Sequence, residues 1–69
     1  MSKVREYRLK ARLSQNELAR RAGIDERTVR RAEDGQTIQD VKAAAIADAL
    51  SEALNTTLTI EDLEMAIYP

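Results

Sequence analysis

The segment from Leu13 to Gly35 limits what this chain can fold into more than any other part of it. Ala19 is small enough to let a following helix approach closely, and Gly23 can leave a helix with a positive φ because it has no Cβ. Val29 follows at a distance that lets it fill the angle between two helices. The spacing therefore predicts two crossed helices joined by a tight turn.

The size and composition of the chain favour a single all-α domain over residues 1–69. Sixty-nine residues suffice for one domain with one small core. Aromatic residues make up only 3% of the chain, with two glycines and one proline, which disfavours a β-sandwich and its many turns. There is no cysteine, so disulfides and thiolate metal sites are excluded. We expect neither a metal site nor a cofactor.

The hydropathy pattern argues against a membrane protein. No apolar stretch approaches the roughly 20 residues that cross a bilayer. The charged N-terminus also lacks the apolar segment of a secretory signal. We therefore expect no membrane contact and a location in the cytoplasm, with the nucleoid.

Charge is distributed unevenly along the chain. The net charge is -1, but residues 1–35 hold ten Lys and Arg against six Asp and Glu, whereas residues 36–69 hold one against six. A net charge of +4 followed by one of -5 suits a protein that presents its first half to a polyanion.

Helix caps and apolar periodicity predict a compact bundle of five helices. Their predicted ranges are residues 3–11, 15–22, 26–34, 39–54 and 60–66. Ser14 and Glu17 form the pattern of a capping box before the second helix. The other predicted N-terminal caps are Asp25 for the third helix, Thr37 with Asp40 for the fourth, and Thr59 with Asp62 for the fifth. The predicted buried stripe of the fourth helix contains Val41, Ala45, Ile46, Ala49 and Leu50.

The motifs between Leu13 and Gly35 resemble those of the Cro/cI-type helix-turn-helix family, which is also called the XRE family and contains phage repressors and small bacterial regulators. They are Leu13-Ser14-Gln15, Glu17-Leu18-Ala19, Gly23-Ile24, Thr28-Val29 and Glu33-x-Gly35. The similarity extends over nearly the whole chain. It implies a lambda-repressor-like DNA-binding domain whose second and third helices form the helix-turn-helix, with the third in the major groove. It further implies a transcriptional regulator, in the simplest case a repressor, that binds a near-palindromic operator as a homodimer.

The third helix carries the predicted base contacts Glu26, Arg27 and Arg31. If Val29 faces the core, Arg27 and Arg31 lie within about 20° of the outward direction, where each can bind guanine N7 and O6. By its family position Glu26 points into the groove, where it can accept a hydrogen bond from cytosine N4. The alternatives are a solvated basic face for the arginines and a favourable helix-dipole interaction for Glu26.

The predicted contacts with the DNA backbone surround this helix. They are Gln15, Arg30, Arg12, Lys10, Gln36 and Thr37. Gln15 occupies the family position at the start of the second helix, where an amide and free N–H groups meet a phosphate. Arg12 stands where many relatives have glycine, so either its φ is positive or the first helix ends differently. The loop after Gly35, with Gln36, Thr37 and Gln39, contains no Lys or Arg, which disfavours a minor-groove contact there.

Two further predictions concern the architecture. Arg8 and Glu33 match a pair that in this family joins the first helix to the third by an ion pair. Apolar residues near the C-terminus exceed what so short a chain needs, and family members commonly pair through this region. The predicted dimer surface contains Ile60, Leu63, Met65 and Ile67.

Two other classes of function compete with DNA binding. An enzyme is disfavoured because the chain has no histidine, no cysteine and no glycine-rich phosphate loop. The stronger alternative is an antitoxin-like or antirepressor-like module that binds another protein through the acidic fourth and fifth helices.

Overall fold

Four helices follow one another in the computed structural model of the chain, which describes residues 2–69. They are α1 (Val4–Lys10), α2 (Gln15–Ala22), α3 (Glu26–Glu33) and α4 (Asp40–Leu54). The only β-type pairing among the described residues is an isolated parallel bridge between Ile38 and Ile67. The all-α class is thus confirmed, but the prediction of five helices is wrong.

The predicted fifth helix is a single turn over residues 60–64. It begins as predicted, because the Thr59 amide donates to Asp62 Oδ2 and the Asp62 amide donates to Thr59 Oγ1, both at 3.0 Å. It ends at once because Glu64 adopts φ 53°. The amides of Glu64 and Met65 then donate backward to the carbonyls of Glu61 and Ile60, which is the Schellman pattern that closes a helix.

The same left-handed conformation closes each of the four helices and the turn over residues 60–64. The five residues concerned are Arg12 (φ 59°), Gly23 (φ 72°), Gly35 (φ 81°), Asn55 (φ 54°) and Glu64 (φ 53°). At Arg12 the Leu13 amide donates to the Arg8 carbonyl at 3.1 Å, and the Arg12 amide donates to the Leu9 carbonyl at 3.0 Å. The question left open by the sequence is therefore answered, since this arginine occupies a glycine-type position.

The helix starts differ from one another in their caps. At α2 the predicted capping box is complete, with the Glu17 amide donating to Ser14 Oγ at 3.0 Å and the Ser14 amide donating to Glu17 Oε1 at 2.9 Å. Asp25 instead accepts a hydrogen bond from the Thr28 hydroxyl, and no backbone amide bonds to its side chain as a cap. Asp40 accepts from the adjacent Val41 amide, so the predicted Thr37 cap of α4 is also wrong.

The core lies where α2 packs against both α3 and α4. Its largest fully buried side chains are Leu18, Ile46, Leu50, Leu63, Val4 and Val29. The predicted burial of Val41 is wrong, because this side chain is 74% exposed. Burial of Ile46 sets the rotation of α4, and Val41, five residues earlier, points about 140° away from it. No helix within residues 2–69 has the length and apolar character needed to cross a membrane.

The C-terminal segment completes the core and bonds to the residue before α1 and to the loop before α4. The Lys3 amide donates to the Leu63 carbonyl at 2.8 Å, and Ile38 exchanges hydrogen bonds with the backbone of Ala66 and Tyr68. Leu63 is fully buried and Met65 is only 8% exposed. Both were predicted to lie on a dimer surface, and they lie in the core instead. Ile60 and Ile67 are half-buried. These apolar residues cover the core of a small chain, which accounts for their apparent excess.

Candidate nucleic-acid interface

The turn between α2 and α3 sets the geometry of the candidate site. Ala19 and Val29 are buried between the two helices, with exposures of 3% and 0%. Gly23 ends α2, and the Ile24 amide donates to the Ala19 carbonyl at 2.9 Å. A Cβ on Gly23 would have no atom within 4 Å, so the positive φ and not crowding is what favours glycine there.

A buried ion pair fixes α3 against α1. Arg8 Nε donates to Glu33 Oε2 at 2.6 Å, and Arg8 Nη1 donates to the Leu13 carbonyl at 2.9 Å. The two side chains are only 11% and 6% exposed. Among the described residues no buried side-chain polar atom lacks a partner, so every buried polar atom of the pair has at least one hydrogen bond. It holds α3 in place relative to the rest of the fold.

The two arginines predicted to face outward from α3 have different surroundings. Arg27 is exposed and forms no ion pair or side-chain hydrogen bond within residues 2–69. Arg31 is half-buried, and its Nη2 donates to the Thr37 carbonyl at 3.2 Å and to the Tyr68 hydroxyl at 3.4 Å. Arg27 can therefore meet a ligand directly, whereas one nitrogen of Arg31 is already engaged with neutral oxygen atoms.

Glu26 is held by two donors instead of projecting freely. Its Oε2 accepts from Arg30 Nη2 at 2.7 Å, and its Oε1 accepts from Asn16 Nδ2 at 3.3 Å. The Arg30 bond, followed by the Asn16 bond, lowers the pKa of Glu26 below its usual 4.5. The side chain is thus a carboxylate at neutral pH, already paired within the chain.

Gln15 links this pair to the buried ion pair. Its Nε2 donates to Glu33 Oε1 at 3.1 Å, and its Oε1 accepts from Arg30 Nε at 3.4 Å. The amide predicted to meet a phosphate is therefore engaged at both ends. Sequence reasoning missed this network, although the four-residue spacing of Glu26 and Arg30 was a usable signal.

The other residues predicted to contact the DNA backbone are exposed on the surface. Lys10 pairs with Glu6 at 3.6 Å, and its Nζ lies 4.8 Å from the centre of the Tyr7 ring. Arg12 is exposed at the end of α1. Gln36 and Thr37 are exposed in the loop that follows α3.

A cleft beside the start of α3 brings in a residue that the sequence analysis did not single out. Its volume is about 220 Å³, and its lining includes Arg27, Thr28, Arg31, Gln39, Lys42 and Tyr68. Lys42 is the one basic residue of the acidic second half, which was the available signal. Its Nζ lies 3.9 Å from Asp25 Oδ1. The Thr28 hydroxyl first, and Lys42 less strongly, lower the pKa of Asp25.

The cleft and the outer face of α3 together suit a polyanionic ligand. Three cationic side chains meet one carboxylate there, all on or beside the same helix. Within residues 2–69, no group of three Asp, Glu, His or Cys side chains is placed to hold a metal ion.

Comparison with known proteins agrees with this geometry. A family model described as helix-turn-helix matches residues 4–60, which include all four helices. Neither the curated proteins nor the solved structures gave a significant match.

Proposed function

We propose that this chain, which belongs to the helix-turn-helix family of DNA-binding domains, is a transcriptional regulator that binds double-stranded DNA at specific sequences. The observation that carries the proposal is the exposed and unpaired Arg27 on the outer face of α3, with the buried Val29 on the opposite face. A basic side chain in that position can enter the major groove while the inner face of α3 stays on the core.

Arg27, Arg31 and Glu26 are the proposed base contacts. The two arginines are four residues apart, which is about 6 Å along the helix axis. Stacked bases rise about 3.4 Å, so the arginines can reach base pairs about two steps apart. Each guanidinium can bind a guanine through N7 and O6, and Glu26 can accept from a cytosine amino group.

The surrounding polar residues are the proposed backbone contacts. Lys10, Arg12, Gln36 and Thr37 are available on the surface, and Lys42 adds a cation beside α3. At Gln15 the proposed donor is the backbone N–H at the start of α2, since the side-chain amide is engaged. Arg30 is paired with Glu26, which offsets its charge in the unbound protein. Such contacts position the protein without reading sequence.

We further infer that two copies bind one near-palindromic operator, repressing transcription by occupying it. The described chain measures 29 × 21 × 19 Å. Half-sites of a helix-turn-helix dimer are about 34 Å apart, so one copy spans a single half-site. Exposed Val41 and Tyr68, at 74% and 52%, offer apolar surface outside the core.

A protein-binding module is the second candidate. Asp48 and Glu52 are exposed on α4, and Glu61 and Asp62 are exposed in the following turn. An acidic surface of this kind suits a basic protein partner. Binding of such a protein partner would not depend on Arg27.

Selection of bound sequences from a random duplex pool tests the proposal. We expect recovery of sites with guanine and cytosine at fixed positions, arranged as two inverted halves about one helical turn apart. Recovery of a single half would contradict the dimer but not the base contacts. Failure to enrich any sequence would contradict sequence-specific binding and favour the protein-binding module.

A further inference from the structure

Arg30 differs from the other arginines of α3 because a carboxylate of the same helix neutralises it. Arg30 Nη2 lies 2.7 Å from Glu26 Oε2, with side-chain exposures of 58% and 33%. Its Nε also donates to Gln15 Oε1 at 3.4 Å. Arg27 has no partner within residues 2–69, and Arg31 bonds only to neutral oxygens. In the unbound protein α3 therefore presents two of its three arginine charges.

We propose that Glu26 makes the phosphate contact of Arg30 conditional on DNA sequence. This inference rests on the proposed function. On an arbitrary duplex the Glu26–Arg30 pair stays closed, because an unpaired carboxylate near phosphates is repelled. On a site that presents a cytosine amino group to Glu26, the carboxylate turns to the base and releases Arg30 to a phosphate.

The pair is well suited to open in this way. It is exposed, and exposed ion pairs are weak enough for competing partners to replace them. Both side chains lie at the surface on the flank of α3 that faces α2, where they bond to Asn16 and Gln15, so the buried Val29 keeps its place when the pair opens. In the unbound protein Asn16 donates to the other carboxylate oxygen of Glu26, and Gln15 accepts from Nε of Arg30. These two hydrogen bonds keep the pair closed.

The salt dependence of binding reports the number of phosphates contacted. Each contact adds about -0.9 to the slope of log affinity against log salt concentration. For each copy bound, the wild-type chain should show a slope steeper by about 0.9 on its selected site than on a random duplex of equal length. Equal slopes on the two duplexes would overturn the inference.

Glu26→Gln tests the same inference by removing the carboxylate. Arg30 is then free on every sequence, so affinity for random DNA at about 0.1 M salt should rise on the order of five- to tenfold. The slope difference between selected and random duplexes should disappear. Adding Arg30→Gln to Glu26→Gln should return the affinity for random DNA to near the wild-type value.

Glu61→Gln is the matched control for net charge. Glu61 is exposed and forms no side-chain hydrogen bond or ion pair within residues 2–69. If Glu61→Gln raises affinity for random DNA as much as Glu26→Gln does, the effect is one of net charge and the inference is wrong. It is also wrong if the double variant keeps the increase. A wild-type chain that binds no duplex would instead overturn the proposed function itself.

Discussion

Arg27, Arg30 and Arg31 show how one residue type acquires three roles through its neighbours. Winding the helix from Val29 correctly places Arg27 outward, because angular position depends only on helix geometry. The partners of Arg30 and Gln15 could not be predicted in the same way. They depend on side-chain conformations and on the packing of α2 against α3, which the local sequence does not determine.

Arg12→Gly is predicted to stabilise the fold. Arg12 has a left-handed backbone, which costs a non-glycine residue roughly 1–2 kcal/mol. Glycine removes this strain, but its greater flexibility in the unfolded state offsets part of the stabilisation. We expect a net increase of about 0.5–1 kcal/mol in the free energy of unfolding, measured with urea. Arg12→Ala keeps the strained backbone and removes the same charge. Equal stabilisation by both substitutions would show that charge, and not φ, is responsible.

At the scale of the helices, capping boxes and glycine ends were predictable, whereas the single caps Asp25 and Thr37 were not. The Ser14–Glu17 and Thr59–Asp62 boxes both form, because each needs only two side chains three residues apart. Ends marked by glycine were also found at the predicted positions. The end at Glu64 was missed because glutamate gives no such signal. One turn therefore stands where a helix over residues 60–66 was predicted.

The capping box should make stability depend on acid pH. The Ser14 amide, followed by the Ser14 hydroxyl, holds the pKa of Glu17 below its ordinary value of 4.5. A carboxylate whose pKa is lowered by folding stabilises the folded state at pH values above its ordinary pKa. This contribution is lost as the pH falls through the lowered pKa of the folded state.

Glu17→Gln should remove this part of the pH dependence while keeping a capping side chain. Urea unfolding at pH 7 and pH 3 measures it for wild type and variant. The variant should lose less stability between the two pH values, and Glu61→Gln, outside the box, serves as the control. Identical losses in wild type and Glu17→Gln would contradict the assignment.

At the scale of the whole molecule, the C-terminal segment and the buried ion pair join parts that are distant in sequence. The all-α fold and the helix-turn-helix were predictable because motif spacing and periodicity are local. The burial of Leu63 and Met65 was not, since it follows from where the segment crosses the start of α1 and the loop at Ile38. Lys42 was missed for the same reason, as its position beside α3 depends on the packing of α4.

Arg8→Met is predicted to destabilise the whole fold. It leaves Glu33 buried at 6% exposure without its cation, which costs about 3–5 kcal/mol. A domain of this size has a total stability of about 3–10 kcal/mol, so the variant should be largely unfolded or melt far below wild type. Circular dichroism during heating measures this. Arg8→Met with Glu33→Leu should recover much of the loss, and a single variant that melts like wild type would contradict the role of the pair.

The central claim is that α3 reads bases through Arg27, together with Arg31 and Glu26, while Lys42 and the other surrounding residues hold only the DNA backbone. Fluorescence anisotropy with the selected duplex and a random duplex of equal length tests it most directly, comparing wild type, Arg27→Ala and Lys42→Ala. Arg27→Ala should weaken binding to the selected duplex by about 1–3 kcal/mol more than binding to the random one. Lys42→Ala should weaken binding to both duplexes equally and reduce the salt slope by about 1 for each copy bound. Equal losses on the two duplexes for Arg27→Ala would contradict the claim.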